Sequence, residues 1–210
     1  MGMKQILVMM VAVVLVGCSN ETPETSQAAE AETQPTPELS PALDPVPSVE
    51  EKVIAIADPI VEKAVRKFLR KPEGELTEAG LEKVTSLDLG LTQITAAGLK
   101  DVAKLQKLTY LDLTNTKITD AGLKELAKLQ QLKELHLLDT QVTDAGLVEV
   151  AKLQNLERLS LGYTKITDAG LKEVAKLQNL EVLYLFGAKV TKAGLAELRK
   201  ALPNCKISGP

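Results

Sequence analysis

Between Val84 and Pro203 the chain repeats itself with a period of 24 residues, in units starting at Val84, Leu108, Leu132, Leu156 and Leu180. The third unit reads LKELHLLDTQVTDAGLVEVAKLQN and the fourth LERLSLGYTKITDAGLKEVAKLQN. A unit this short has an apolar side that it cannot bury alone, so the copies must stack into a solenoid. In each, L-x-x-L-x-L alternates apolar and variable positions as a strand does. The following stretch, Asp120 to Leu129 in the second unit, changes to helical spacing. Asp120, Asp144 and Asp168 stand where a helix N-cap is expected, with side-chain oxygens able to accept from free N–H groups. One strand and one short helix per unit place Leu111, Leu113, Ile118, Leu123, Leu126 and Leu129 against their equivalents above and below.

Composition agrees with aliphatic layers: 45% of the 210 residues are hydrophobic but only 2% aromatic. A net charge of −3 argues against a dedicated nucleic-acid binder, and two cysteines exclude a disulfide scaffold.

These units resemble leucine-rich repeats, specifically the bacterial kind with an (I/V)-T-D-A-G-L segment. The resemblance implies an α/β, right-handed solenoid with a parallel concave sheet and short convex helices, five units plus caps. Thr92, Thr116, Thr140 and Thr164, then Ala188, replace the Asn usual in such repeats, and a Thr hydroxyl can still bond the turn backbone. Val53 to Ala57, Asp58-Pro59 and the amphipathic run Ile60 to Arg70 resemble the N-terminal cap of internalin-like proteins. Val61, Val65, Phe68 and Leu69 form its expected apolar stripe, and Pro59 suits a first helical turn. Leu76 to Val84 reads as a shortened repeat. At the far end Leu202 to Ile207 reads as a partial strand, with Cys205 a packed cap residue.

Ahead of the domain, Lys4 precedes an apolar run from Ile6 to Val16, too short for the about 20 residues a membrane-spanning helix needs, so it reads as a signal-peptide core. Leu15-Val16-Gly17-Cys18 resembles the bacterial lipobox. That resemblance implies cleavage before Cys18 and a diacylglyceryl group on its sulfur, with two or three chains giving a stable anchor. Ser19, where Asp would signal retention in the inner membrane, favours the outer membrane. Ser19 to Glu50 contains six prolines and seven acids with no Lys or Arg, a composition that reads as an extended, disordered linker. The expected organisation is a signal peptide at 1–17, the linker at 18–50, a helical cap at 51–83, repeats at 84–203, and a cap strand and tail at 204–210.

The third, fifth and seventh positions of each strand face the concave side. Tyr110, Asp112, Glu134, His136, Arg158, Ser160, Tyr184 and Phe186 are the expected partner contacts there, since rings and arginine commonly anchor binding surfaces. Tyr163 lies just beside them. Asp112, His136 and Ser160 fall on successive strands and have the residue types of a hydrolase triad. No Gly-x-Ser-x-Gly elbow or oxyanion hole accompanies them. Asp112, His136 and Asp139 make a weak metal set. On the convex side Lys104, Lys128, Lys152, Lys176 and Lys200 each follow an acid three places earlier, a self-paired helix face. The expected function is a monomeric, lipid-anchored module of the bacterial envelope that recognises a protein or peptide without catalysis, cofactor, metal or nucleic acid. The rival readings are a structural spacer and an esterase-like site.

Overall fold

The computed structural model describes residues 52–209. The signal core, Cys18 and the acidic linker lie outside the described residues. Among the described residues, no helix is long and apolar enough to cross a membrane.

The element order follows the repeat. Helix α1 (Pro59–Leu69) and the single turn α2 (Glu78–Leu81) precede β1 (Ser86–Asp88), and then helices alternate with strands. These are α3 (Ala96–Val102), β2 (Tyr110–Asp112), α4 (Asp120–Leu126), β3 (Glu134–His136), α5 (Asp144–Val150) and β4 (Arg158–Ser160). The series closes with α6 (Asp168–Val174), β5 (Val182–Tyr184), α7 (Lys192–Ala201) and β6 (Lys206–Ser208). All six strands form one parallel sheet in sequence order. Leu87, Leu111, Leu135, Leu159, Leu183 and Ile207 are register partners from strand to strand, so each layer lies 24 residues beyond the last. The expected final strand is β6. The expected solenoid is therefore the observed one.

The core lies between sheet and helices. Leu111, Leu113, Ile118, Leu123, Leu126 and Leu129 are all at most 1% exposed, and their equivalents in the other units are buried with them except Ala201, which stands for Leu129 in the last unit and is exposed. Helices α3 to α6 have seven residues each, about two turns and too short to persist alone in water. Burial of Leu123, Leu147 and Leu171 in neighbouring layers supplies what local propensity lacks. The substituted threonines behave as expected: the hydroxyls of Thr92, Thr116, Thr140 and Thr164 donate to Leu89, Leu113, Leu137 and Leu161 carbonyls at 2.6–2.7 Å.

The repeated aspartates differ from expectation. The N-cap residues are Thr119, Thr143 and Thr167, and each Asp occupies the first helical position. From there Asp120 reaches into the next unit, where its Oδ1 accepts the Thr143 N–H at 2.8 Å and its Oδ2 the Thr143 hydroxyl at 2.7 Å. Asp144 holds Thr167, and Asp168 holds Thr191, in the same way. The two bonds from Thr191, side chain first, lower the Asp168 pKa. The first repeat has Ala96 at the Asp position, and Thr119 makes no side-chain capping bond. Gly146 and Gly170 complete the device, because a Cβ there would run into the carboxylate of Asp120 or Asp144 from the preceding unit. The T-D-A-G-L segment is thus an inter-layer clamp: Thr caps, Asp reaches forward, and Gly admits the Asp from behind.

The N-terminal cap is latched by a residue that resembles its repeat equivalents only in sequence. Asp101 is 5% exposed; its Oδ2 accepts the Ala57 and Asp58 N–H groups at 2.9 and 2.8 Å. Its Oδ1 meets Lys104 Nζ at 2.6 Å, and the same Nζ donates to the Ala55 carbonyl at 2.7 Å. Asp58 in turn caps α1 through Ile60 and Val61. On α1, Val61 and Val65 are fully buried and Leu69 half-buried, whereas Phe68 stands exposed and leaves the expected stripe. Cys205 is half-buried against the core, and burial raises its thiol pKa.

Candidate functional site

The sheet face turned away from the helices carries the side chains that differ between units. Its regular leucines, such as Leu135 and Leu137, point inward and are fully buried, while Glu134, His136 and Leu138 alternate with them and are half-buried. Pairing of β2 to β5 places Tyr110 beside Glu134, Glu134 beside Arg158, Asp112 beside His136, His136 beside Ser160, and Ser160 beside Tyr184. The expected contact residues are therefore on one surface.

Its acid-rich half spans β1 to β3. The Tyr110 and His136 rings lie 5.4 Å apart between centroids, tilted by 47°. Burial, followed by the negative charges of Asp112, Asp88 and Glu134, raises the Tyr110 pKa. Glu134 stands between two bases, with Oε2 3.9 Å from His136 Nε2 and Oε1 3.7 Å from Arg158 Nε. Both separations exceed a hydrogen bond, so these side chains form a loose polar strip.

The row Asp112, His136, Ser160 is in register but is not wired as a proton relay. Asp112 Oδ1 accepts the Thr114 N–H at 2.7 Å, which closes a turn on its own strand. Among the described residues no hydrogen bond links Asp112 to His136 or His136 to Ser160. Ser160 is 5% exposed. It was expected among the contact residues, and its short side chain instead sits low between the larger His136 and Tyr184 of the adjoining strands, with little surface to offer a partner. Asp112, His136 and Asp139 do not converge: no group of three metal-ligating side chains occurs among the described residues.

The other half of the face is aromatic. Tyr184 is 41% exposed and Phe186 51%, and Tyr163 beside them is 65% exposed. Tyr163 has φ +53° and Gly187, one unit later, φ +73°; a Cβ on Gly187 would collide with the Tyr163 ring. The ring therefore lies over the Gly187 backbone, a seat that only glycine leaves open. Leu138 reaches over Gly162 in the same region. Tyr163 thus joins the site residues although it sits in a turn. A signal for it existed in the sequence: Leu91, Asn115, Asp139, Tyr163 and Gly187 occupy one column, and all five have positive φ. Asn, Asp and Gly tolerate that conformation, whereas a bulky Tyr or Leu there is strained.

On the helix side the lysine stripe is neutralised as expected. Lys128, Lys152, Lys176 and Lys200 lie 2.6–2.7 Å from the carboxylates of Glu125, Glu149, Glu173 and Glu197.

A family model described as the leucine-rich repeat matches residues 80–103, 104–127 and 152–175, in the same 24-residue period. A search of curated proteins gives no match. Similar solved structures include an internalin C2 of Listeria monocytogenes, 25% identical with a TM-score of 0.43, over 72% of this chain and 83% of that one. A leucine-rich-repeat protein of Leptospira interrogans is 27% identical with a TM-score of 0.46, over 61% of this chain and 38% of that one. A second Listeria internalin, inlF, is 19% identical with a TM-score of 0.43, over 72% and 55%. The chain therefore spans less than two thirds of the latter two proteins.

Proposed function

We propose that this leucine-rich-repeat chain is a lipid-anchored binding module of the bacterial envelope, which recognises a protein or peptide on the open face of its sheet. The matched leucine-rich repeats support a protein-interaction module rather than an enzyme. The observation that carries the reading is the contrast between a nearly invariant buried framework and a face holding Tyr163, Tyr184 and Phe186 exposed beside a polar strip. Solvent-exposed rings held on a rigid sheet lose little conformational entropy when covered, which makes them effective anchors.

Anchoring follows from the lipobox-like Leu15-Val16-Gly17-Cys18, and Ser19 favours the outer membrane. Mass spectrometry of the processed N-terminus should find acyl chains on Cys18, and Cys18→Ala should release the protein from the membrane fraction. An unmodified Cys18 thiol in the native protein would end the anchoring proposal. Binding is tested by capture of envelope proteins on the intact chain beside its Tyr184→Ser/Phe186→Ser variant, followed by direct titration of the captured species. A partner that binds both forms equally does not use this face. Sedimentation velocity should find a monomer.

A further inference from the structure

Helix α1 and the residues just after it gather positive charge that helices α3 to α6 do not. Lys63, Arg66, Lys67, Arg70 and Lys71 put five cations within nine residues that hold no acid, with Asp58 and Glu62 before them and Glu73 and Glu75 after. Glu62 is occupied by Arg66, whose Nε and Nη2 each lie 2.9 Å from its Oε1. Lys71 donates to the Glu75 carbonyl at 2.6 Å. Among the described residues, Lys63, Lys67 and Arg70 make no ion pair, whereas each recurrent lysine from Lys104 to Lys200 pairs with the acid three places before it.

Phe68 follows Val65 by three residues and Val61 by seven, so it borders the buried side of the helix rather than the cationic face. Phe68 is 39% exposed on a helix whose Val61 and Val65 are fully buried. A shallow groove between Pro59 and Pro72 runs along the cationic face. Helix α1 packs on β1 and α3 at one end of the stack, separate from the aromatic half of the sheet on β4 and β5.

We infer that this face of α1 docks on the anionic headgroups of a phospholipid bilayer, as a second membrane contact beside the proposed lipid on Cys18. Several long, unpaired cations spread over two turns match a diffuse sheet of negative charge better than one buried anion, which would need converging donors in an enclosed site. The cations meet the phosphates. Contact through the end of the stack leaves the sheet face free for its partner. The acidic linker adds no attraction of its own, so the contact belongs to the cap.

The inference shares the membrane setting of the anchoring proposal but does not need the lipid, so the two fail separately. The test uses the mature chain, residues 18–210, with Cys18→Ser to remove the acylation site. It is sedimented with phosphatidylcholine vesicles containing ~30% phosphatidylglycerol, and with pure phosphatidylcholine. Binding is expected to the first and not to the second, and to disappear at about 0.5 M salt. A cation near such a surface contributes about fivefold in partitioning, so Lys63→Glu/Lys67→Glu/Arg70→Glu should lower binding at least about a hundredfold. The control Lys124→Glu/Lys172→Glu/Lys192→Glu makes the same change in net charge on the repeats and should bind as the unaltered chain does. Circular dichroism verifies that each variant is folded, and a variant that is not is replaced by its Lys→Gln and Arg→Gln counterpart. The inference is overturned if the unaltered chain stays in the supernatant, if neutral vesicles bind it equally, if the α1 variant binds undiminished, or if the control loses as much.

Discussion

Replacing Asp101 tests whether the N-terminal cap is held by one buried carboxylate. In Asp101→Ala the Ala57 and Asp58 N–H groups lose the acceptor they share at 2.9 and 2.8 Å, and Lys104 loses its partner at 2.6 Å. A buried donor left without an acceptor costs about 1–3 kcal/mol, and breaking a buried pair by removing one member costs about 3–5 kcal/mol. The two N–H groups are only part-buried, and Lys104 is half in solvent and keeps the Ala55 carbonyl, so the total should be about 2 kcal/mol. Because each layer of a solenoid touches only its neighbours, the loss should be felt locally. Urea unfolding should become biphasic, and hydrogen exchange should accelerate in α1 before α5.

Acid should produce the same uncoupling. Burial alone would raise the Asp101 pKa, but Lys104 and the Asp58 and Ala57 N–H groups together outweigh it and lower the pKa below 3.8. The carboxylate is thus depressed on folding, so its contribution is complete above the unfolded value of about 3.9 and is lost as pH falls through the folded value. Asp101→Asn should be less stable than the unaltered chain at pH 7, and the difference should shrink as pH falls below the ordinary carboxylate range. A loss under about 1 kcal/mol in Asp101→Ala, with exchange in α1 unchanged, would refute the latch.

Three further outcomes follow from the clamps and the turn column. Asp144→Ala, which frees the Thr167 N–H and hydroxyl, should cost about 1–2 kcal/mol in urea unfolding. Gly170→Ala, whose Cβ would strike Asp144 and Leu147, should cost about 1–3 kcal/mol by overpacking; in the Asp144→Ala background the penalty should be smaller, and a double-mutant cycle reads the coupling. Tyr163→Gly removes a bulky residue from φ +53° and should raise stability by about 1 kcal/mol despite the lost ring contact, while weakening any partner of the aromatic half; a thermal melt and a binding titration separate the two effects.

Much of this molecule was legible in one dimension. A strict 24-residue period allows only one layer per unit, and from that come the strand register, the leucine columns, the paired lysines on the helices and the face that carries Tyr184 and Phe186. Local patterns suffice for these because each depends on residues within one unit or on the same residue one unit later. Contacts between unlike positions were decided only by tertiary structure. Asp101 reads like its equivalent Glu125, yet it bonds backbone 43 and 44 residues away because the cap returns to that spot. Asp120 reads as a local cap and instead holds Thr143, which stacking brings within reach. Ser160 sinks between larger neighbours, Phe68 turns outward, and Tyr163 takes a turn conformation suited to smaller residues. In each case the periodic pattern specifies which layer a residue belongs to, whereas the partner it meets depends on how its side chain fits against a different position of the next layer.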